Sequence, residues 1–283
     1  MHSVALPKPC QVVLRALKQR HGIDFGHYMP GSLLRRIALR MQRVGAQDYA
    51  DYATYLASTS DECDLLLNTL LINHTAFFRD PDVWGALASH LAALIAERPA
   101  RAPLRIWSAG CSTGQEPYSL AMLLAELVGP EQVAASVTIY ATDVDAEALQ
   151  QVRQGRYDPW AVRMVPQPLL DRYFCWDGSH ATVCEPLRRA VVPARHNLLT
   201  DAPLSQIDLL LCRNVLIYLT GATQERVAGQ LCAGLAGGGL LVLGKTEGLF
   251  SPPRGLHWLS REHRIAVRMF DRTDPSAERA PIV

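Results

Sequence analysis

The residues of this chain that could do chemistry follow short apolar runs, where the ends of buried strands are expected. The stretch from Leu104 to Leu124 reads as a strand, a glycine turn and a helix. Gly110 and Gly114 let the backbone turn sharply and approach a ligand that a Cβ would obstruct. Thr113 and Glu116 have the spacing of a capping box, so the helix is predicted to begin there. The segment as a whole predicts a cradle for a cofactor.

The glycine spacing and the position of Glu116 indicate which ligand this segment binds. A dinucleotide fingerprint reads Gly-x-Gly-x-x-Gly, whereas no middle glycine lies between Gly110 and Gly114. Glu116 would repel a phosphate at the positive end of the helix. Both features favour a ligand with positive charge and no phosphate, and S-adenosylmethionine meets this requirement through its ammonium and sulfonium groups. The alternative is an ordinary strand-turn-helix in which Glu116 only caps the helix.

A second group of polar residues precedes this segment, at positions 73–81. Phe77 and Phe78 are expected to anchor the stretch in a core. Three neighbouring side chains would then be available to a ligand: Asn73, Thr75 and Arg79. The alternative is a linker whose Asp80-Pro81 pair starts the next helix.

Polar residues also follow three later strands of the predicted α/β sheet. Asp143 ends the run Val137–Asp143, where an acidic residue accepts hydrogen bonds from ribose hydroxyls, while Asp145 is expected to cap the next helix. Asn197 follows another strand and has an amide suited to an adenine edge. Ligands lie beyond the carboxyl ends of parallel strands, so the strand that starts at Ile207 places its own candidates there: Arg213, Asn214 and Tyr218.

Composition limits the function classes. The chain has 283 residues, 49% hydrophobic residues and a formal net charge of +1, which favours a packed globular fold and argues against a globally basic nucleic-acid binder. Its seven cysteines are scattered without a Cys-x-x-Cys pair, so neither a disulfide framework nor a metal site is expected. We find no secretory signal and no apolar run of roughly 18 residues, and we expect a soluble, intracellular protein.

Residues 1–72 are predicted to form a small all-helical domain with an uneven charge. Between Lys8 and Arg43 there are eight lysines and arginines against one acid. Leu33 and Ile37 have helical spacing and are expected to face a core. The other side of this helix, called here the basic face, carries Arg35, Arg36, Arg40 and Arg43. It is either a solvated surface or a docking surface for an acidic partner helix.

The alternation of strands and helices is interrupted at residues 155–195. There the Asp177–Gly178 turn, between Tyr173–Trp176 and a later run around Arg188–Val192, indicates a small antiparallel insertion. Residues 273–283 are expected to form a flexible tail.

Five motifs, taken together and in this order, resemble the bacterial chemotaxis receptor methyltransferases, the CheR family. They are Asn73–Asp80, Gly110–Ser119, Ala141–Asp143, Asn197–Leu199 and Cys212–Tyr218. The resemblance implies an α/β fold of the class I S-adenosylmethionine-dependent methyltransferases, Rossmann-like, with a mostly parallel sheet whose last strand is antiparallel. It also implies a helical docking domain (1–72), a linker with an active-site motif (73–103), and a methyltransferase domain (104–272) that contains the β-subdomain inserted at 155–195.

The activity implied by the resemblance is metal-free methyl transfer from S-adenosylmethionine to glutamate carboxylates on the cytoplasmic helices of chemoreceptors. Arg79 and Tyr218 would flank the methyl group and orient the glutamate, and the basic face would dock on the receptor helix. The protein would be cytoplasmic and recruited to membrane receptor arrays. The stretch Cys175–His196 is shorter than in relatives that bind a receptor's tethering peptide, which argues against tether binding. The cofactor would be held by Asn73, Thr75, Arg79, Gly110, Glu116, Asp143, Asn197, Leu198, Arg213 and Asn214.

The same motifs argue against three other functions. A base-amine methyltransferase usually carries Asp/Asn-Pro-Pro-Tyr/Phe after the fourth strand, where this chain has Arg213–Leu216 without a proline pair. A dehydrogenase is disfavoured by the missing middle glycine. A signalling or scaffold protein that binds S-adenosylmethionine without turnover is the remaining alternative, and the presence of both Arg79 and Tyr218 argues against it.

Overall fold

A computed structural model of the chain describes residues 6–71, 73–97, 102–249 and 252–269. The chain divides into two compact units: Met1–Ile72 with Ile217–Gln224, and Asn73–Leu216 with Glu225–Val283. The segment that carries Tyr218 therefore belongs to the helical unit, whereas the sequence predicts an unbroken methyltransferase domain. The predicted tail at 273–283 lies outside the described residues.

The first unit is built from helices. They are α1 (Lys8–His21), α2 (Pro30–Val44), α3 (Tyr49–Ser58) and α4 (Glu62–Leu70). Both α1 and α2 have a proline in the first turn, and each ends at a glycine in the left-handed conformation that stops a helix, Gly22 and Gly45. Leu33 and Ile37 are buried on one side of α2, as the spacing predicts.

The basic face of α2 is interrupted by a buried ion pair. Arg40 is only 8% exposed, and its Nε donates to Oε1 of Glu62 on α4 at 2.9 Å, while its Nη2 contacts Glu62 Oε2. The Tyr52 hydroxyl donates to the same carboxylate at 2.6 Å. Arg36 is half-buried and donates to the Thr69 carbonyl at 2.9 Å. The prediction that Arg40 lies on an exposed docking surface is therefore wrong, because its charge is needed to neutralise a carboxylate in the core.

The second unit alternates strands with helices. Its strands are β1 (Leu104–Ala109), β2 (Val137–Asp143), β3 (Arg156–Tyr157), β4 (Phe174–Trp176), β5 (Ala181–Val183), β6 (Val191–Arg195), β7 (Ile207–Cys212), β8 (Leu235–Leu243), β9 (Leu256–Ser260) and β10 (Ile265–Arg268). The helices that follow α4 in the chain are α5 (Pro81–Ala96), α6 (Gln115–Val128), α7 (Pro130–Ser136), α8 (Ala146–Gln154), α9 (Gln167–Tyr173), α10 (Glu185–Ala190) and α11 (Gly221–Gly234).

Within the described residues, the main sheet has seven strands in the order β6-β2-β1-β7-β8-β10-β9. The pairs from β6 to β8 are parallel, and β10 pairs antiparallel with both β8 and β9. This confirms the predicted sheet, mostly parallel with an antiparallel last strand. The carboxyl ends of β1, β2, β6, β7 and β8 consequently lie along one edge, where a ligand site is expected in an open α/β sheet.

The insertion is a small antiparallel sheet in the order β3-β5-β4. Asp177 and Gly178 connect β4 to β5, so the predicted turn is present, but the predicted partner run around Arg188–Val192 is wrong. Those residues form the end of α10 and the start of β6, and Val191 pairs in parallel with Ile139 of β2. This β-branched run pairs with β2 at the edge of the main sheet, so the inserted sheet ends well before residue 195.

The predicted linker at 73–103 contributes to the core of the second unit. Trp84, Leu87 and Leu91 of α5 are buried in its hydrophobic cluster. Phe77 is 1% exposed, and its ring meets those of Tyr157 and Phe174 edge-on at 4.9 and 5.6 Å.

Two further observations apply to the described residues alone. None of their helices combines the length and the apolar content needed to cross a membrane. They also contain no group of three or more His, Cys, Asp or Glu side chains arranged to hold a metal ion.

Candidate active site

The loop after β1 is fastened to the end of β2. The backbone N–H groups of Gly110 and Cys111 donate to the Thr142 carbonyl at 2.8 and 3.0 Å. The next N–H, that of Ser112, donates to Asp143 Oδ2 at 2.8 Å. Ser112 has a φ of 51°, a conformation that non-glycine residues seldom adopt. The loop thus presents its backbone at the carboxyl edge of the sheet.

The two glycines of this loop are required by the protein itself. A Cβ on Gly110, whose φ is 73°, would lie 2.5 Å from Val215 Cγ2. A Cβ on Gly114, whose φ is 95°, would lie 2.8 Å from the Tyr157 hydroxyl oxygen. The sequence places the glycines correctly in a turn, but the steric reason is internal packing and positive φ, whereas the prediction invoked a close ligand.

The capping box predicted for α6 is wrong. Gly114 is the residue at the N-cap, no side chain caps the helix, and the Thr113 hydroxyl donates to Gln115 Oε1 at 2.8 Å. The helix starts at Gln115, so Glu116 is the second residue of α6. The carboxylate of Glu116 contacts the sheet. Glu116 Oε1 accepts from Ser108 Oγ of β1 at 2.8 Å, and Oε2 lies 3.6 Å from Arg213 Nη1.

Asp143 holds a carboxylate at the tip of β2. It accepts hydrogen bonds from the backbone N–H groups of Ser112 at 2.8 Å and Asp145 at 3.1 Å. Burial raises the pKa of Asp143, and burial likewise raises the pKa of Glu116, with the Arg213 guanidinium opposing the shift at Glu116. The edge of the sheet therefore carries two carboxyl groups that would gain from a cationic ligand.

Asp145 and Asn73 tie the segment 73–80 to this edge. Asp145 Oδ1 accepts from Glu147 N and Ala148 N, which confirms its predicted role as the cap of α8. Its Oδ2 accepts from Asn73 Nδ2 at 2.6 Å, and Asn73 Oδ1 accepts from Ser112 Oγ at 3.2 Å. Both ends of the Asn73 amide are thus engaged with the protein, whereas the sequence predicts an amide available to a ligand.

Arg79 and Thr75 are half-buried on the same segment. The Arg79 Nη1 donates to the His74 carbonyl at 3.1 Å. Its own carbonyl accepts from Trp84 Nε1 and from Arg213 Nη2, both at 2.9 Å. Arg79 is therefore linked through its backbone to Arg213, which follows β7.

Arg213 carries a buried charge in the site, with a side chain only 2% exposed. Its Nη2 donates to Asp80 Oδ2 at 2.8 Å, and the guanidinium carbon lies 5.6 Å from the centre of the Trp84 ring. Among the described residues, its Nε is a buried donor without a hydrogen-bond partner. Asp80 was not predicted as a site residue, although it directly follows Arg79 in the motif.

Asn197 and Leu198 follow β6 at the same edge. Asn197 Oδ1 accepts from the backbone N–H of Leu199 at 3.0 Å, and the Asn197 N–H donates to Asp201 at 2.9 Å. Because Oδ1 is engaged in the loop, a contact to an adenine edge would use Nδ2. Leu198 is half-buried and adds an apolar surface.

Tyr218 lies in the helical unit. It is half-buried, and its carbonyl accepts from the Met29 N–H at 2.8 Å, just before α2. The pairing of Tyr218 with Arg79 stays a prediction, and so does the role of Asn214, which has a left-handed φ of 61°.

Glu247 is the main residue of this edge that the sequence analysis missed. It follows β8, is 3% exposed, and its carboxylate accepts backbone N–H bonds from Asn214, Val215 and Leu216. The residues predicted from the sequence follow β1, β2, β6 and β7. Glu247 follows β8, whose carboxyl end lies at the same edge, so the rule that ligand sites lie at the carboxyl ends of parallel strands also points to Glu247.

The donor and acceptor set of this edge fits S-adenosylmethionine. Asp143 matches the ribose hydroxyls, and the carboxyl groups of Asp143 and Glu116 suit a cationic ligand. The unpartnered Nε of Arg213 is a buried donor suited to an acceptor such as a ligand carboxylate.

Comparison with known proteins agrees with this fit. Residues 73–265 match a family model described as "CheR methyltransferase, SAM binding domain", and residues 10–71 match "CheR methyltransferase, all-alpha domain". The two matches together confirm the predicted class of fold and the type of cofactor.

Three relatives illustrate the range of similarity. Chemotaxis protein methyltransferase 2 of Pseudomonas aeruginosa is 35% identical over 84% of this chain and 85% of its own length. The chemotaxis protein methyltransferase of Escherichia coli is 32% identical over 83% of this chain and 82% of its own length. An uncharacterised 104.1 kDa protein of Rhodobacter capsulatus is 35% identical over 86% of this chain, which spans only 26% of that relative.

Proposed function

Because the chain belongs to the CheR methyltransferase family, we propose that it methylates glutamate side chains on the cytoplasmic helices of chemoreceptors. The chain is an S-adenosylmethionine-dependent methyltransferase. The proposal adds that the product is a glutamate methyl ester, that the partner is a chemoreceptor, and that the protein acts in the cytoplasm at membrane receptor arrays. The names of its relatives in Pseudomonas and Escherichia support chemotaxis as the setting.

The observation that carries the proposal is the convergence of Asp143, Glu116 and Arg213 at one edge of the sheet. Ser112 connects the β1 loop to Asp143, and Arg213 faces Glu116 at 3.6 Å. This arrangement supplies carboxylates for a cationic ligand and a buried guanidinium for its carboxylate. When bound, S-adenosylmethionine supplies an electrophilic methyl group on a positive sulfur.

The reaction requires the protein mainly to orient the reacting groups. A glutamate carboxylate has a reference pKa of about 4.3 and is ionised at neutral pH, so no general base is required. Holding one carboxylate oxygen in line with the methyl group in a dry site accounts for most of the acceleration. A guanidinium can hold a carboxylate in a fixed plane, which a lysine cannot do. In the proposal Arg79 has this role, and Tyr218 donates a hydrogen bond to the incoming carboxylate.

The first test is binding and transfer with the full chain. Calorimetry with S-adenosylhomocysteine should show binding that is lost in Asp143→Ala and kept in Asp171→Ala, a control at an exposed aspartate of α9. Incubation with labelled S-adenosylmethionine and cytoplasmic receptor fragments should then transfer methyl groups that mild base releases as methanol, as expected for an ester.

The two parts of this test fail separately. Binding without transfer to any receptor fragment would support the alternative of a signalling or scaffold protein without turnover. Transfer that resists base would contradict a glutamate ester. Loss of binding in Asp171→Ala as well would show that the effect at Asp143 is not local.

A further inference from the structure

We propose that Glu247 is a positioning residue that holds Arg213–Leu216, called here the Asn214 loop, in the conformation that presents Arg213 and Asn214 to the cofactor. The inference rests on the proposed function, because it assumes that the edge beside Arg213 is the cofactor site. Glu247 itself acts through the backbone of the loop.

The carboxylate of Glu247 is an acceptor for backbone N–H groups from two strand ends. Its Oε2 accepts from Asn214 N at 2.8 Å and from Gly244 N at 2.6 Å. Its Oε1 accepts from Val215 N at 2.8 Å and from Leu216 N at 2.7 Å. One buried side chain thus joins the loop after β7 to the end of β8.

The Asn214 loop has a geometric need for such an acceptor. Asn214 has a φ of 61°, and a left-handed residue next to right-handed ones turns successive N–H groups toward one point. Such concave groups of N–H donors bind anions, and a buried N–H without a partner costs free energy. Here the anion is part of the chain, so the loop conformation is fixed before any ligand arrives.

Gly244 leaves the space that this arrangement needs. A Cβ at Gly244 would lie 2.7 Å from Glu247 Oε2 and 2.9 Å from Asn214 N, so it would enter the hydrogen bond between them. A Cβ at Gly248, one residue beyond Glu247, would meet nothing within 4 Å. The two glycines therefore form a matched pair in which only Gly244 depends on the Glu247 contact.

The position of the loop determines that of Arg213. The guanidinium of Arg213 lies 2.8 Å from the Asp80 carboxylate and 3.6 Å from the Glu116 carboxylate. Arg213 directly precedes Asn214, whose backbone N–H donates to Glu247. A shift of the loop would move a buried charge away from its carboxylate partners. Glu247 therefore affects cofactor affinity without touching the cofactor.

The test uses the full chain with two substitutions and two controls. Glu247→Gln keeps the shape but places an NH2 group opposite some of the N–H donors, and we expect S-adenosylhomocysteine to bind about tenfold more weakly or worse. Gly244→Ala should act in the same direction. Glu262→Gln, at an exposed glutamate, and Gly248→Ala should bind like the unmodified chain.

Two readouts separate positioning from general destabilisation. In methyl transfer, Glu247→Gln should raise KM for S-adenosylmethionine more than it lowers kcat. In hydrogen exchange, the Val215 and Leu216 amides of the unmodified chain should exchange slowly, and Glu247→Gln should speed their exchange while the β1 and β2 amides keep theirs. Fast exchange in the unmodified chain would overturn the inference even if Glu247→Gln does not fold.

The outcomes also distinguish this inference from the proposed function. If the chain binds S-adenosylhomocysteine but methylates no receptor fragment, the proposed reaction is refuted. The affinity of Glu247→Gln for S-adenosylhomocysteine, compared with that of the unmodified chain, still tests the role of Glu247. If Glu247→Gln and Gly244→Ala bind as tightly as Glu262→Gln and Gly248→Ala, the positioning role is refuted even when methyl transfer is intact.

Discussion

Arg40 allows a sharp prediction because the sequence and the structure assign it different roles. Arg40→Met would keep most of the side-chain volume but leave the Glu62 carboxylate, 1% exposed, without its positive partner. Among the residues that the structure describes, the hydrogen bond left to that carboxylate would be the one from the Tyr52 hydroxyl at 2.6 Å. Removing one partner of a buried ion pair costs about 3–5 kcal/mol, which is roughly two to four orders of magnitude in the unfolding equilibrium.

The structure also predicts how this loss is reversed. The double substitution Arg40→Met with Glu62→Met removes both charges and leaves the Tyr52 hydroxyl as the unpaired polar group, at a cost of about 1–3 kcal/mol. The double variant should therefore be more stable than Arg40→Met alone. Arg35→Met, at an exposed position of α2, should change the stability by about 0.5 kcal/mol or less.

The assay must report on the helical unit. All five tryptophans of the chain belong to the second unit, so their fluorescence follows that unit. Amide hydrogen exchange of peptides from α2 and α4, measured across a urea series, reports the opening of the helices that Arg40 and Glu62 join. Equal protection in Arg40→Met and Arg35→Met would refute the reasoning and return Arg40 to the surface.

Three further predictions concern the reaction. Arg79→Lys should lower kcat for methyl transfer far more than it changes affinity for S-adenosylhomocysteine, and unchanged turnover would contradict an orienting role. Burial raises the pKa values of Glu116 and Asp143, so these carboxyl groups take up protons at a higher pH than ordinary carboxyl groups do and then lose their attraction for a cation. S-adenosylmethionine should then bind more weakly as the pH falls toward those raised values, as measured by calorimetry across a pH series, and an affinity that does not change with pH would contradict a role for these carboxylates. Arg35→Glu with Arg43→Glu should weaken receptor methylation and leave cofactor affinity intact; unchanged receptor kinetics would make the exposed part of the basic face a solvated surface.

The sequence predicted the sheet well because its signals are local. Apolar runs mark the buried strands, proline lies in the first turn of helices such as α1, α2 and α5, and the end of an apolar run marks a strand tip such as Asp143. The insertion was misjudged because Val191 and Val192 have the same β-branched signal as a hairpin strand. Only the position of β2 beside them decides that they join the main sheet.

The roles of individual side chains were harder to predict, because their partners are distant in the chain. Arg40 has the helical spacing from Arg36 and Arg43 that predicts one shared surface of α2. Nothing within α2 reveals that Glu62, 22 residues later, is buried beside Arg40. The side-chain amide of Asn73 is suited to bind a ligand, yet it forms hydrogen bonds with Asp145 and Ser112 of the protein itself.

Glu247 shows how the same reasoning can be extended. The residues selected from the sequence were those expected to touch a ligand, and Glu247 instead holds the backbone of residues that do so in the proposed function. A left-handed Asn214 needs an acceptor for three consecutive N–H groups. An acidic residue just beyond a neighbouring strand end can supply it. A carboxylate at a strand tip can therefore bind the protein's own backbone, as Glu247 does, while Asp143 at the tip of β2 is the one expected to bind the cofactor.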